Sequence, residues 1–291
     1  MQAIELLPWL MVYRCFFRLR LIYDVQENYR LNLSHQLHYP AWLRGLLKAL
    51  VSCLEALSVR FVDHYLLAER SYRDELPFPA ERITVLENKV IPTLEPPLRS
   101  GKPIRYLLLS GTFNRHYGTY EGIRLAERLY DHHPEYRLLV CGMCSDASYR
   151  KRLERALDGL PMLAYCQLSE TPVPHTDIWQ QMQRADMLLL PYQSNPSTAR
   201  CIPTKVFEAL SLHLPMLVPP NKYWEELLRP YPAAVFEDIQ RAEIEELHQK
   251  IQKTHFYKQV PEPAVYTWEE EKLIEVLHKK IPDATGREID G

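Results

Sequence analysis

The stretch Asp186-Met-Leu-Leu-Leu-Pro-Tyr-Gln-Ser-Asn-Pro-Ser-Thr-Ala-Arg200-Cys-Ile-Pro203-Thr204-Lys205-Val-Phe-Glu208 concentrates residue types suited to chemistry. It reads as a buried strand ending at Pro191, a polar loop, and a helix opening near Pro203, whose fixed φ suits a first helical position. Thr204 and Glu208 are four apart, so they share a helical face and lie about 6 Å apart along the axis. Free N–H groups at the helix start, the Thr204 hydroxyl and the Lys205 ammonium suit a diphosphate. One turn deeper, the Glu208 carboxylate can accept both hydrogen bonds of a ribose diol. The competing reading is a solvated Lys/Glu pair on a surface helix. Placement just after a strand favours the binding reading, because parallel sheets bind ligands at their carboxyl edge.

A second such edge is Leu107-Leu-Leu-Ser-Gly111-Thr112-Phe-Asn-Arg115-His-Tyr-Gly118, a strand, a loop with glycine at both ends, then a helix. Glycine lets a backbone approach a ligand closely, although a plain turn would also use Gly118. The pattern is neither a Walker loop nor a G-x-G-x-x-G fingerprint. Cys141-Gly-Met-Cys144 is a lone Cys-x-x-Cys with no second pair, which argues against zinc. His116, His132 and His133 read as core or surface residues.

The elements that must carry these residues alternate regularly. Apolar runs at Tyr106–Leu109, Arg137–Cys141, Met162–Cys166, Met187–Leu190 and Met216–Val218 are separated by helical stretches near 119–132, 147–157, 176–184, 203–212 and 221–228. That order predicts right-handed crossovers and a parallel sheet covered on both faces. Before it, residues 3–17 and 41–59 read as helices, with short strands at Leu19–Val25, His64–Ala68 and Ile83–Leu86. Ile91-Pro-Thr-Leu-Glu-Pro-Pro-Leu reads as an extended connector. The expected organisation is a partial α/β domain over 1–90, a linker over 91–103, an α/β domain over 104–260, and a crossover helix with a frayed tail over 261–291.

Composition limits the function classes. A length of 291 residues suggests roughly two domains at about 150 residues each. A formal charge of −2 leaves no general nucleic-acid footprint. Six sparse cysteines, mostly in apolar runs, read as buried thiols of a reducing cytoplasm. Arginines interrupt the apolar start of the chain, so neither an export signal nor a membrane span is expected. Residues 1–60 carry seven Lys/Arg against four Asp/Glu, with Trp9, Phe16, Phe17 and Trp42 nearby. Peripheral contact with a membrane and contact with missing protein are equal readings of that surface.

The segment Ala185–Pro215 resembles the donor-site signature of GT-B glycosyltransferases related to family 4, with its second glutamate at Glu208. The resemblance extends to Ser110-Gly111-Thr112 through Gly118, Leu138-Leu-Val-Cys-Gly142, Ile83-Thr-Val-Leu-Glu-Asn-Lys-Val90, Tyr266-Thr-Trp268-Glu and Ile22-Tyr-Asp24-Val-Gln26-Glu27. It implies an α/β GT-B fold, with a complete Rossmann-like C-terminal domain and an N-terminal domain lacking its first part. It also implies transfer of a hexose from a UDP- or GDP-type sugar to a glycan or lipid-linked acceptor in surface-polysaccharide synthesis. No cofactor or essential metal is expected, and the location is the cytoplasm, at or near the inner membrane face.

Carried over by position, Gly111, Thr112, Pro203, Thr204, Lys205 and Glu208 are donor-binding candidates, with Arg115 standing in for a displaced loop basic residue. Gln26, Glu27 and Arg200 occupy catalytic positions. Arg200 replaces the family's first glutamate, and Gln26 replaces a histidine with a group that cannot titrate. Those departures support a rival reading, a nucleotide-sugar-binding or scaffold protein without catalysis. A nucleotide-sugar epimerase of the same fold is less favoured.

Overall fold

The structure, a computed structural model, describes residues 1–35, 40–97, 102–193 and 199–278. Part of the polar loop before Arg200, the end of the connector and the expected frayed tail lie outside the described residues. The chain forms two compact units. One comprises Met1–Ile91, a stretch ending at Thr204, and the chain from Thr267. The other holds the chain from Pro92 and from Lys205 to Tyr266.

The first unit has three parallel strands in the order β1 (Ile22–Val25), β2 (His64–Leu67), β3 (Ile83–Val85). Its core gathers Tyr23, Tyr65 and Phe78 with Leu7, Met11, Val62 and Leu67. The rings of Tyr65 and Phe78 stack at 3.9 Å. β1 begins at Ile22 rather than at the expected Leu19. The Leu21 N–H is taken by the Asp63 carboxylate at 2.8 Å, and Arg14 grips the same carboxylate with both terminal guanidinium nitrogens. The helix Glu270–His278 packs Val276 against Leu66 and Leu86, with Trp268 beside them.

Two helices of this unit leave apolar stripes outside. Trp9, Val12, Tyr13 and Phe16 are exposed on Leu7–Phe16, as are Trp42, Leu46 and Leu50 on Ala41–Ser58. The i, i+4 spacing of the second set puts it on one face.

The second unit holds six parallel strands, β4 (Tyr106–Thr112), β5 (Arg137–Met143), β6 (Leu163–Ser169), β7 (Met187–Leu189), β8 (Met216–Val218) and β9 (Ala234–Phe236). Their order is β6-β5-β4-β7-β8-β9. Leu107, Leu108 and Leu109 are all buried, as expected for a strand covered on both faces. Ile123, Leu125 and Leu129 from the helix Thr119–His132 pack on this sheet, with Leu153 and Leu157 from Ala147–Leu157. β9 and the helix Ile244–Lys253 were not expected from the sequence.

The cysteines are not mostly buried, contrary to the reading of their apolar runs. All six thiols are free, but only Cys141 and Cys144 are buried, while Cys15, Cys53 and Cys166 are exposed. Cys166 points outward from β6, which is an edge strand, so an apolar run there does not guarantee burial.

Gly118 caps the helix Thr119–His132 in the left-handed region, φ 64° and ψ 26°. A Cβ there would overlap the backbone carbonyl oxygen of Pro191, just beyond β7. Gly118→Ala should therefore destabilise the protein by ~2 kcal/mol or more, combining left-handed strain with an immovable neighbour. Gly45→Ala, mid-helix with open space around it, should instead stabilise by about 0.5–1 kcal/mol. Urea denaturation midpoints of the two variants test the contrast.

Candidate nucleotide site and the acidic edge

Sheet order reverses between β4 and β7, so their carboxyl ends form a topological switch point, where open parallel sheets bind ligands. Leu107 and Leu108 pair with Met187 and Leu188, which brings the loop after Gly111 beside Pro191 and Tyr192. The helix Thr204–Ser211 follows β7, opening at Thr204 with Pro203 just before it, one residue later than expected. Thr204 is exposed, whereas Glu208 is buried at 6% exposure.

Lys205 projects under the loop after β4. Gly111 has φ 88°, and a Cβ on it would overlap Cε and approach Nζ of Lys205. The glycine thus makes room for a lysine as well as for a ligand. The Lys205 ammonium lies 5.9 Å from the Tyr117 ring centroid, within cation–π reach. Tyr117 stacks on Tyr192 at 4.6 Å, and Tyr192 meets Trp224 edge-on at 5.6 Å. Burial pushes the Lys205 pKa down, against the opposing pull of Glu208.

Glu208 has a neighbour that sequence reasoning missed. Its Oε1 lies 2.8 Å from Nε2 of His175, the first residue of the helix His175–Arg184 after β6. The hydrogen bond to Glu208 raises the His175 pKa, partly offset by burial. Trp179 Nε1 stands 2.9 Å from the same nitrogen. One nitrogen cannot both donate to a carboxylate and accept from an indole, and the charge-assisted bond to Glu208 is the stronger. Nothing in the spacing of His175 and Glu208, 33 residues apart, signals this pair.

Thr112, the last residue of β4, is exposed. Arg115 is drawn elsewhere: it lies 3.9 Å from Asp146, 3.2 Å from the Ser148 hydroxyl, and 5.3 Å from the Tyr149 ring centroid. Asp146 caps the helix after β5, so Arg115 sits with that helix start rather than with Lys205.

The catalytic candidates belong to the first unit. Gln26 donates to Asp24 at 2.6 Å and accepts from Asn88 at 3.5 Å. Exposed Glu27 accepts from Asn32 at 2.8 Å. Arg200 is held by Glu75 at 3.1 Å and Asp74 at 3.3 Å. The parallel register adds a pattern unseen in the sequence. Val25, Leu67 and Val85 close their strands, and each is followed two residues later by a glutamate: Glu27, Glu69 and Glu87. Glu69 accepts the Ile202 N–H at 3.1 Å, while Glu87 pairs with Arg70 at 2.8 Å. Burial above all, with Glu87 and Glu75 adding to it against the Ile202 hydrogen bond, raises Glu69 to about 8. This edge therefore has a titratable carboxyl group, one strand over from the Gln26 that cannot titrate.

No protein-family model matches the sequence, and no curated protein matches it. Solved structures do. Sucrose-phosphate synthase of Thermosynechococcus elongatus superposes with TM-score 0.62 at 14% identity, over 95% of this chain and 72% of its own. HepE of Anabaena, in complex with UDP and glucose, gives 0.60 at 12%, over 95% and 76%. TarM of S. aureus gives 0.59 at 11%, over 90% and 50%. The fold is GT-B. This GT-B chain thus spans about half the length of TarM.

The raised pKa of Glu69 carries a sign. The folded state holds this proton more tightly than the unfolded chain, so its stabilising contribution is complete below pH ~4.3 and is lost as pH rises through about 8. Buried Glu55, raised to about 7 chiefly by burial, acts in the same direction. Stability should fall across this window, and Glu69→Gln should flatten the upper part of the fall. Urea midpoints at pH 5, 6.5 and 8 are the measurement, and an unchanged profile in the variant would refute the assignment.

Proposed function

We propose that this chain is a glycosyltransferase that binds a nucleotide-diphosphate sugar of the UDP or GDP type at the β4–β7 switch point. It would pass the hexose to a glycan or lipid-linked acceptor, in the assembly of a surface polysaccharide at the inner face of the cytoplasmic membrane. The observation that carries this reading is Lys205 set beneath Gly111, with Glu208 one helical turn deeper. UDP in the HepE and TarM structures supports the choice of nucleotide.

In this reading Lys205 and the N–H groups at the start of its helix receive the diphosphate, Thr204 and Thr112 flank it, and Arg115 would have to leave Asp146 to reach it. Transfer breaks the bond from the sugar to the diphosphate, so negative charge grows on the departing oxygen. A preorganised ammonium and backbone donors stabilise that charge most where water is excluded. Tyr117 and Tyr192 limit water around Lys205. Glu208 takes the ribose hydroxyls, in competition with His175 for Oε1. Gln26 and Glu27, on the first unit, orient the acceptor, while Glu69 keeps its own proton near neutrality and is not the base. The ion pairs of Arg200 with Asp74 and Glu75 favour the second reading, a nucleotide-sugar-binding protein without transfer.

UDP and GDP titrations followed by thermal shift test the site. A saturating nucleotide at 100-fold over Kd should stabilise by ~2.7 kcal/mol. Glu208→Ala should weaken binding about 10- to 100-fold by removing charge-assisted hydrogen bonds worth ~1.5–3 kcal/mol. Affinity should rise with pH through the raised pKa of His175, as the cationic imidazole stops holding Glu208, and His175→Gln should remove that rise. No shift with either nucleotide would sink both readings. Slow hydrolysis of a nucleotide sugar, lost in Glu208→Ala, would separate the transferase from the binding protein.

The exposed stripes of Trp9, Phe16, Trp42 and Leu46 support the membrane contact, with Arg44 and Lys48 on the second of the two helices. Flotation with vesicles rich in phosphatidylglycerol should carry the protein, less so at high salt, and Trp9→Ser with Trp42→Ser should release it. Failure to float would assign this surface to a protein contact.

A further inference from the structure

We propose that His133, Glu135, Glu245 and His248 form a binding site for a divalent transition-metal ion of the zinc type. The site lies in the second unit, where the loop His133–Tyr136 enters the amino end of β5 and faces the helix Ile244–Lys253. The proposed nucleotide site is at the carboxyl edge of the same sheet, so the two are separate.

Donor atoms of His133, Glu135 and His248 all lie within 4.8 Å of one another. The imidazoles of His133 and His248 are stacked, with centroids 3.5 Å apart and planes 7° apart. His133 Nε2 is buried without a hydrogen-bond partner. Glu245 Oε1 stands 3.3 Å from it, in ion-pair range but outside hydrogen-bond geometry. That separation is the one expected of two ligands on a tetrahedral zinc ion, where bonds of about 2.0–2.1 Å place ligand atoms ~3.3–3.4 Å apart. Glu245 and His248 form a Glu-x-x-His pair three apart on one helix, the spacing by which helices offer a carboxylate and an imidazole to one metal.

The surroundings also select which His248 nitrogen is available. Gln252 is fixed by Ile104, donating to its carbonyl at 2.8 Å and accepting its N–H at 3.2 Å. Gln252 also donates to the Tyr136 hydroxyl at 3.2 Å, and that hydroxyl lies 3.1 Å from His248 Nδ1. Nδ1 is therefore engaged, leaving Nε2 for the ion, the division of roles seen where an outer hydrogen bond orients a metal-bound imidazole. On binding, Nδ1 carries the ring proton toward Tyr136 and the stack opens so that both nitrogens aim at one point. Exposed Glu135 and Glu245 have freedom to close in, and two carboxylates balance a divalent charge. An imidazole–carboxylate set favours zinc, cobalt or nickel over magnesium or calcium.

Cobalt(II) titration of the full chain tests the proposal. One equivalent should produce the visible d–d absorption of a low-coordinate site, and zinc should displace it. His248→Ala and His133→Asn should each weaken binding at least about tenfold, and so should Glu135→Gln, a surface change that leaves the core untouched. Far-UV circular dichroism and the nucleotide response of each variant establish that the unit is folded, and they keep this test separate from that of the nucleotide site. Absence of the band in the wild type would overturn the site and leave the histidine stack as packing alone. So would binding unchanged in these variants, or an intense thiolate charge-transfer band, which would place the ion on cysteine.

Discussion

Burying the ammonium of Lys205 beneath the first strand's loop is the constraint around which the second unit's carboxyl edge is arranged. The ammonium loses hydration there, which pushes the Lys205 pKa down. The surroundings offset it only in part, through the Glu208 carboxylate and the Tyr117 ring. Gly111 has to lack a side chain for the lysine to lie there, and Gly118 has to be left-handed for its loop to close on Pro191. In the proposed reading, a diphosphate entering this edge would add to the counter-charge that Glu208 already supplies. The positive charge is thus set in place by folding, before any ligand arrives, which is what electrostatic preorganisation requires.

The two units treat charge in opposite ways. The second sets one lysine among aromatic rings and pairs the nearby glutamate with His175. The first lines the end of its sheet with glutamates and answers them with Arg70, Lys89 and Arg200. Burial above all, with like charge from Glu87 and Glu75 adding to it, leaves Glu69 holding its proton near neutrality. A cationic residue at position 200 fits this edge because Asp74 and Glu75 pair with it, an explanation internal to this chain for an arginine where the resemblance would place a glutamate.

Much of the fold was legible in the sequence because its signals are local. The helices Thr119–His132 and Ala147–Leu157 matched their expected spans, since amphipathic periodicity and the Asp146 cap mark them along the chain. The short strand β9 and the true start of β1 were not legible. β1 is shortened by a carboxylate 42 positions away that takes the Leu21 N–H. Cys166 was misplaced for a related reason: an apolar run says nothing about whether its strand lies at the edge of the sheet.

The same division holds for the candidate sites. Residue type and spacing alone determined that Thr204, Lys205 and Glu208 share one helix behind a strand, and that glycines gather after β4. Only tertiary structure decided that Lys205 reaches Gly111, that His175 holds Glu208, that Arg115 turns to Asp146, and that three glutamates line up across three strands. These are contacts between residues up to 94 positions apart, made by sheet order and register. A sequence carries its helical faces and turns within a few residues, whereas the pairing of charges across a fold exists only once parallel strands have set their ends side by side.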